Sequence, residues 1–178
     1  MPGVSILSSK LLLRGRVFSV RREKAVQSGG LTVDREIVVH AGSAVMIARD
    51  ARGRILLVRQ FRLPSRRRLW ELPAGRLEAG EAALRAAQRE LVEETGYRAR
   101  RWKRVLSFYP SPGYSSERMT VYLAEDLTAG EARPDPDETI AARWFAPAEI
   151  RRMIRAGRIC DGKTVAGLLF LFFGDKDL

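Results

Sequence analysis

Residues 75–97, GRLEAGEAALRAAQRELVEETGY, place five glutamates (Glu78, Glu81, Glu90, Glu93 and Glu94) in a chain of 178 residues whose formal net charge is +11. On a wheel of about 3.6 residues per turn, Leu84, Ala87, Leu91 and Thr95 fall on one stripe. That stripe predicts a helix from about Glu81 to a stop at Gly96, with the stripe as its buried face. Glu90 and Glu94, one turn apart, share a face beside the stripe, where Ala83, Ala86 and Ala87 are small enough to permit close approach. Glu93 lies further round, next to Arg89 at i, i+4, while Arg85 and Arg89 fall on another side of the wheel from Glu90 and Glu94. Like charges one turn apart cost roughly 0.2–0.5 kcal/mol on an exposed helix and far more at a core edge. A solvated helix of Glu–Arg pairs is the ordinary alternative. The place of Glu90 and Glu94 beside the buried stripe argues instead for a cation between them. Oxygen donors without a nearby imidazole or thiol select a hard divalent ion, Mg²⁺ or Mn²⁺. His40, the only histidine, cannot build a zinc site alone.

Outward from the helix the chain reads mostly as strands. Residues 10–26 and 31–39, separated by Ser28-Gly29-Gly30, predict a meander with a glycine turn. SAVMIA (43–48) and RILLVRQF (54–61), split by residues 49–53, read as a hairpin of buried strands. Further strands are expected in VLSFYPSP (105–112), in 118–127 and in 140–146. Pro147 then opens a helix near 148–156, and Thr164 to Phe173 reads as an apolar final helix. The fold class expected is α+β, a mixed β-sheet between helices. Residues 1–40 are expected to form a small N-terminal antiparallel β subdomain and 41–178 the main domain.

A hydrophobic content of 46% suits one domain of ordinary size with a real core. The single cysteine, Cys160, excludes an intramolecular disulfide and fits a reducing compartment. The N-terminal apolar runs are broken by Lys10, Arg14 and Arg16, and AGLLFLFF (166–173) is far shorter than the ~20 residues of a membrane span, so a soluble cytoplasmic protein is expected. Basic runs at Arg66 to Arg68, Arg98 to Arg104 and Arg151-Arg152 lie far apart, and with Trp102 as the single aromatic inside them they lack the aromatic interleaving of a single-strand platform. They read as solvated surface, or as steering for an anionic small substrate, rather than as a nucleic-acid footprint.

Gly75, Glu81, Arg89-Glu90-Leu91, Glu93-Glu94 and Gly96-Tyr97, at these spacings, resemble the complete box of the Nudix hydrolases, with every fixed position filled. The flanks Val58-Arg59-Gln60-Phe61-Arg62, Trp70 to Gly75, Glu78 to Glu81 and Ser111 to Tyr114 are similar to the ADP-ribose pyrophosphatase branch. In that branch a proline follows the last box glycine by about sixteen residues, and Pro112 follows Gly96 by sixteen. The resemblance implies a mixed sheet between helices, hydrolysis of a nucleoside diphosphate linked to another group with Mg²⁺ or Mn²⁺, and a homodimer made by the N-terminal subdomain. It implies metal ligation by Glu90 and Glu94, by the Ala74 carbonyl and by Glu78, with Glu93 as ligand, water-orienting group or simply the partner of Arg89. Glu81 is expected to favour the helix dipole and order the loop. For the general base the branch position matches Glu138, with Asp135 and Asp137 reading equally well as an acidic turn. Arg62 is the arginine implied for a phosphate, whereas Arg59 reads as structural. Arg35 and Glu36 resemble the segment that reaches the nucleotide across a dimer, Phe18 is either a stacking or a packed strand residue, and Ser111, Pro112 and Gly113 shape the loop at the terminal ribose.

The expected activity is cleavage of ADP-ribose, or a near relative, to AMP and ribose 5-phosphate. Sugar nucleotides, flavin dinucleotide and NADH are the competing substrates, and a non-catalytic nucleotide- or RNA-binding module is the competing class.

Overall fold

The computed structural model describes residues 3–133 and 140–174, so Glu138, Asp135 and Asp137 lie outside the described residues. The chain divides into two compact units, Met1–Gly42 with Tyr109–Arg118, and Ser43–Phe108 with Met119–Leu178.

The first unit is a three-stranded antiparallel sheet of β1 (Ser5–Arg14), β2 (Phe18–Val26) and β3 (Thr32–His40), in that spatial order. The run at 10–26 is thus two strands, turned at Gly15 to Val17. Gly29 and Gly30, at φ 96° and 82°, make the β2–β3 turn in a conformation that side chains disfavour. Among the described residues of the three strands only Ala25 is buried, and all ten residues of β1 are exposed. The segment 109–118 attaches to β3. The Val38 N–H donates to the Tyr114 carbonyl at 2.8 Å, and the Ser116 N–H donates to the Val38 carbonyl at 2.9 Å.

The second unit holds β4 (Ser43–Ala48), β5 (Ile55–Arg62), β6 (Arg67–Glu71), β7 (Ala74–Arg76), β8 (Arg98–Phe108), β9 (Met119–Thr128) and β10 (Ala141–Phe145). Its helices are α1 (Ala83–Thr95), α2 (Pro147–Arg155) and α3 (Gly162–Gly174). One sheet runs β7-β4-β9-β8 with β4 and β9 parallel, which makes it mixed; the other runs β10-β5-β6, antiparallel throughout. All six residues of β4 are buried. Because side chains alternate along a strand, Val45 and Ile47 enter one cluster with Ile150 and Met153 of α2 and Leu168 of α3. Ala44, Met46 and Ala48 enter another with Ala86, Ala87 and Leu91 of α1. Helices therefore cover both faces of this strand, and the α+β class with a mixed sheet holds.

The expected β4–β5 hairpin does not form. The two strands lie in different sheets and approach only through an isolated bridge between Arg49 and Ile55. The turn at Asp50 to Gly53 is real, with the Gly53 N–H donating to the Asp50 carbonyl, but it carries the chain from one sheet to the next. The arginine-rich stretch from Arg98 is strand from its first residue, its basic side chains outward while Ala99 and Trp102 turn toward the α1 cluster. Proline at the first turn of α2 matches the expectation for Pro147. Among the described residues no helix is long and apolar enough to cross a membrane.

Candidate active site

α1 begins two residues later than the wheel predicts, after Ala82, and ends where expected. Gly96 sits at φ 74° and returns its N–H to the Val92 carbonyl at 2.8 Å. Its buried residues are Ala86, Ala87, Leu91, Glu94 and Thr95, whereas Leu84 is exposed, so the buried side is turned away from Leu84 and toward Glu94. The reason is a polar partner. Glu94, only 6% exposed, accepts the Ala74 N–H at 3.2 Å and so docks the helix on β7. Glu90 meets the same strand one residue on. A Cβ built on Gly75 would fall 1.7 Å from the Glu90 carboxyl carbon, so only glycine leaves room for this side chain. The two carboxylates singled out by the wheel thus converge on Ala74 and Gly75.

Arg89 braces the outer side. It donates to Glu90 at 2.8 Å, to Glu93 at 2.9 Å and to Glu81 through two nitrogens at 3.1 and 2.9 Å, and also reaches the Arg76 carbonyl. The hydrogen bond to Glu81 is the main cause of a guanidinium pKa raised well above its ordinary value. The wheel is corrected here: Arg89 contacts Glu90 as well as Glu93, because a long side chain reaches its sequence neighbour around the helix. Arg85 stays apart, on Gln88. Glu81 orders the loop as expected, accepting the Glu78 N–H at 3.0 Å, and its bond from Arg89 holds its carboxyl below the usual range. Glu78 itself is exposed in that loop between β7 and α1.

A second polar centre lies at the ends of β5 and β6. Glu71, 1% exposed, accepts Arg62 Nε at 2.9 Å and Nη2 at 2.8 Å in a bidentate pair, and also accepts the Lys163 ammonium. Burial pushes the Glu71 carboxyl up, but the Arg62 hydrogen bonds and the Lys163 charge outweigh it and leave the carboxyl below the usual range. Arg62, half-exposed, is raised in turn by its bond to Glu71 and further by the charges of Glu94 and Asp161. Arg59 lies over the ring of its cross-strand partner Trp70, 5.8 Å from the centroid.

Within the first unit, Arg35 and Glu36 lie on exposed β3. Arg35 donates to the Asp34 carbonyl, and Glu36 faces Arg22 at 3.8 Å. Phe18 is exposed, paired in register with His40. Ser111 accepts the Ser115 N–H through its carbonyl in the loop that carries Pro112 and Gly113.

Compared with known families, the chain matches the NUDIX domain over residues 39–166. It belongs to the Nudix family. A relative from Mycobacterium tuberculosis named ADP-ribose pyrophosphatase is 39% identical over 92% of this chain and 80% of its own length. One from Bacillus subtilis with the same name is 34% identical over 93% of this chain and 90% of its own. A crystal structure of an ADP compounds hydrolase shares the fold, with a TM-score of 0.82 at 21% identity, covering 97% of this chain and 94% of that one.

In this Nudix chain no three Asp, Glu, His or Cys side chains among the described residues stand together as a complete metal cage. What is present still fits a hard divalent ion. The donors are oxygens, Glu94 accepts the Ala74 N–H while Glu90 lies against the adjacent Gly75, and glycine there leaves the room that the Glu90 carboxylate occupies. The sequence reading left Glu71 without a role and passed over Asp161, Lys163 and Thr164. A detectable signal was there: a lone lysine opening an otherwise apolar helix must find a counter-charge when it is buried.

Proposed function

We propose that this Nudix hydrolase cleaves the diphosphate of ADP-ribose to AMP and ribose 5-phosphate, with Mg²⁺ as the cofactor and Mn²⁺ as a substitute. The observation that carries the substrate is the shared name of the two relatives that align over more than nine-tenths of the chain. Glu90 and Glu94 hold the cation from α1, with Glu78 and the Ala74 carbonyl as further ligands. The bound cation supplies neutralisation of the diphosphate oxygens and a water of lowered pKa. Arg89 keeps Glu90 and Glu93 from splaying apart, and Glu93 ligates or orients water. Arg62 takes a phosphate oxygen. The water oxygen bonds to one phosphorus as the bridging P–O bond breaks, and Glu138 accepts the proton. Arg35, Glu36, Phe18 and the loop Ser111 to Gly113 contact the nucleotide and terminal ribose. The protein acts in the cytoplasm as a homodimer, its exposed N-terminal sheet covered by a second copy.

The test is chromatographic detection of AMP from ADP-ribose and Mg²⁺, with sugar nucleotides, flavin dinucleotide and NADH in parallel arms. The expected result is the highest kcat/KM for ADP-ribose; preference for another nucleotide would reassign the substrate. Glu90→Gln and Glu94→Gln should each lower kcat by more than the roughly 100-fold that loss of an outer-shell partner costs. Full activity in either variant would remove that residue from the ligand set.

A further inference from the structure

Lys163 opens α3 in an unusual setting. It is buried, and its ammonium contacts both Glu71 and Asp161 Oδ2, the latter at 3.0 Å. Asp161 caps the helix by accepting the Thr164 N–H at 3.0 Å, and it also accepts the Thr164 hydroxyl at 2.6 Å. That hydroxyl accepts the Leu72 N–H at 2.8 Å, so the first turn of α3 grips the chain directly before Pro73, Ala74 and Gly75. On the other side of Glu71 stands Arg62, its Nε–Nη2 edge spent on the carboxylate and its side chain 39% exposed. Arg62 feels the charges of three carboxylates, Glu71, Asp161 and Glu94, and Lys163 is the second cation, in contact with the first two. Without Lys163, Arg62 alone would face Glu71 and Asp161 as well as Glu94, and its charge would be consumed inside the protein.

We propose that Lys163 is a positioning residue for anion binding: by neutralising buried Glu71 it leaves the locked Arg62 guanidinium with positive charge to offer a diphosphate. This deepens the reading of Arg62 as a phosphate ligand and rests on it. The Asp161–Thr164 turn fixes where that charge stands.

Calorimetry of inorganic pyrophosphate binding in EDTA isolates this charge from metal and nucleoside. One uncompensated charge a few ångströms away changes anion affinity by about tenfold. Lys163→Met should therefore weaken pyrophosphate by about tenfold, while Lys163→Arg stays within about twofold. Lys163→Met combined with Glu71→Gln, which restores the charge balance, should recover most of the loss. Thermal midpoints are recorded for each variant. A purely structural lysine predicts the opposite for the double variant, with affinity and midpoint both as low as in Lys163→Met or lower; that result, unchanged affinity in Lys163→Met, or no pyrophosphate binding by the native protein, overturns the proposal. If the series behaves as expected and ADP-ribose is not hydrolysed, the substrate assignment fails and the role of Lys163 stands.

Discussion

At Gly75 a missing side chain sets the chemistry. Gly75→Ala pushes a methyl into the Glu90 carboxyl, and because Glu90 is the softer of the two partners it is the carboxylate that moves. A displacement of about 1 Å at a reacting centre costs on the order of 100-fold, so kcat is expected to fall by about that much with the thermal midpoint nearly unchanged. Loss of stability instead of activity would mean that the backbone yields. Glu71 makes a prediction in pH. Its folded-state pKa lies below the ordinary value of 4.5, so its stabilisation is present above that pH and is lost as pH falls through the folded value. Glu71→Gln, which leaves two cations without their buried partner, should cost about 3–5 kcal/mol near neutrality. The gap to the native protein should narrow in denaturant titrations at about pH 3.5, and a gap independent of pH would refute the ionic role. The box glutamates were legible because α1 brings them together through local spacing. Lys163 and Glu71 were not, because 92 positions separate them and only the packed fold makes them neighbours.

Among the elements, α1 is the one that must stop on time. Gly96 combines a left-handed backbone with no space for a side chain, since a Cβ there would lie 2.6 Å from the Gly130 carbonyl oxygen. Gly96→Ala is expected to destabilise by about 1–3 kcal/mol, read as a lower denaturation midpoint. A loss below about 0.5 kcal/mol would show that this end of the helix simply rotates. Strand positions such as 43–48 were readable from continuous apolar runs. Their partners were not: two such runs around a five-residue turn look like a hairpin, and pairing with distant β7 and β9 leaves no local trace. Leu84 was misplaced because the wheel weighs hydrophobicity alone, whereas the hydrogen bond from Ala74 to Glu94 sets the rotation of the helix.

For the whole molecule, the N-terminal sheet supplies a long apolar edge strand and almost no interior of its own. Leu11, Leu12 and Leu13 are all exposed on β1, which is paired on one side only. Natural edges of this kind are usually blunted or covered. Replacing these three leucines by lysine should convert the proposed dimer to a monomer by light scattering, with the circular dichroism retained. A native protein that is monomeric at micromolar concentration would refute the homodimer.

β4 has one further consequence, in the order of synthesis. Its parallel partner β9 is complete only about eighty residues after β4 itself, and until then just the three-residue β7 is available to pair with it. At roughly 5–20 residues per second, the stretch SAVMIA waits on the order of 4–16 s, uncharged and free of proline, before its strand partner has been made. The strand that is later buried at every position is therefore open to pairing with other chains for that interval.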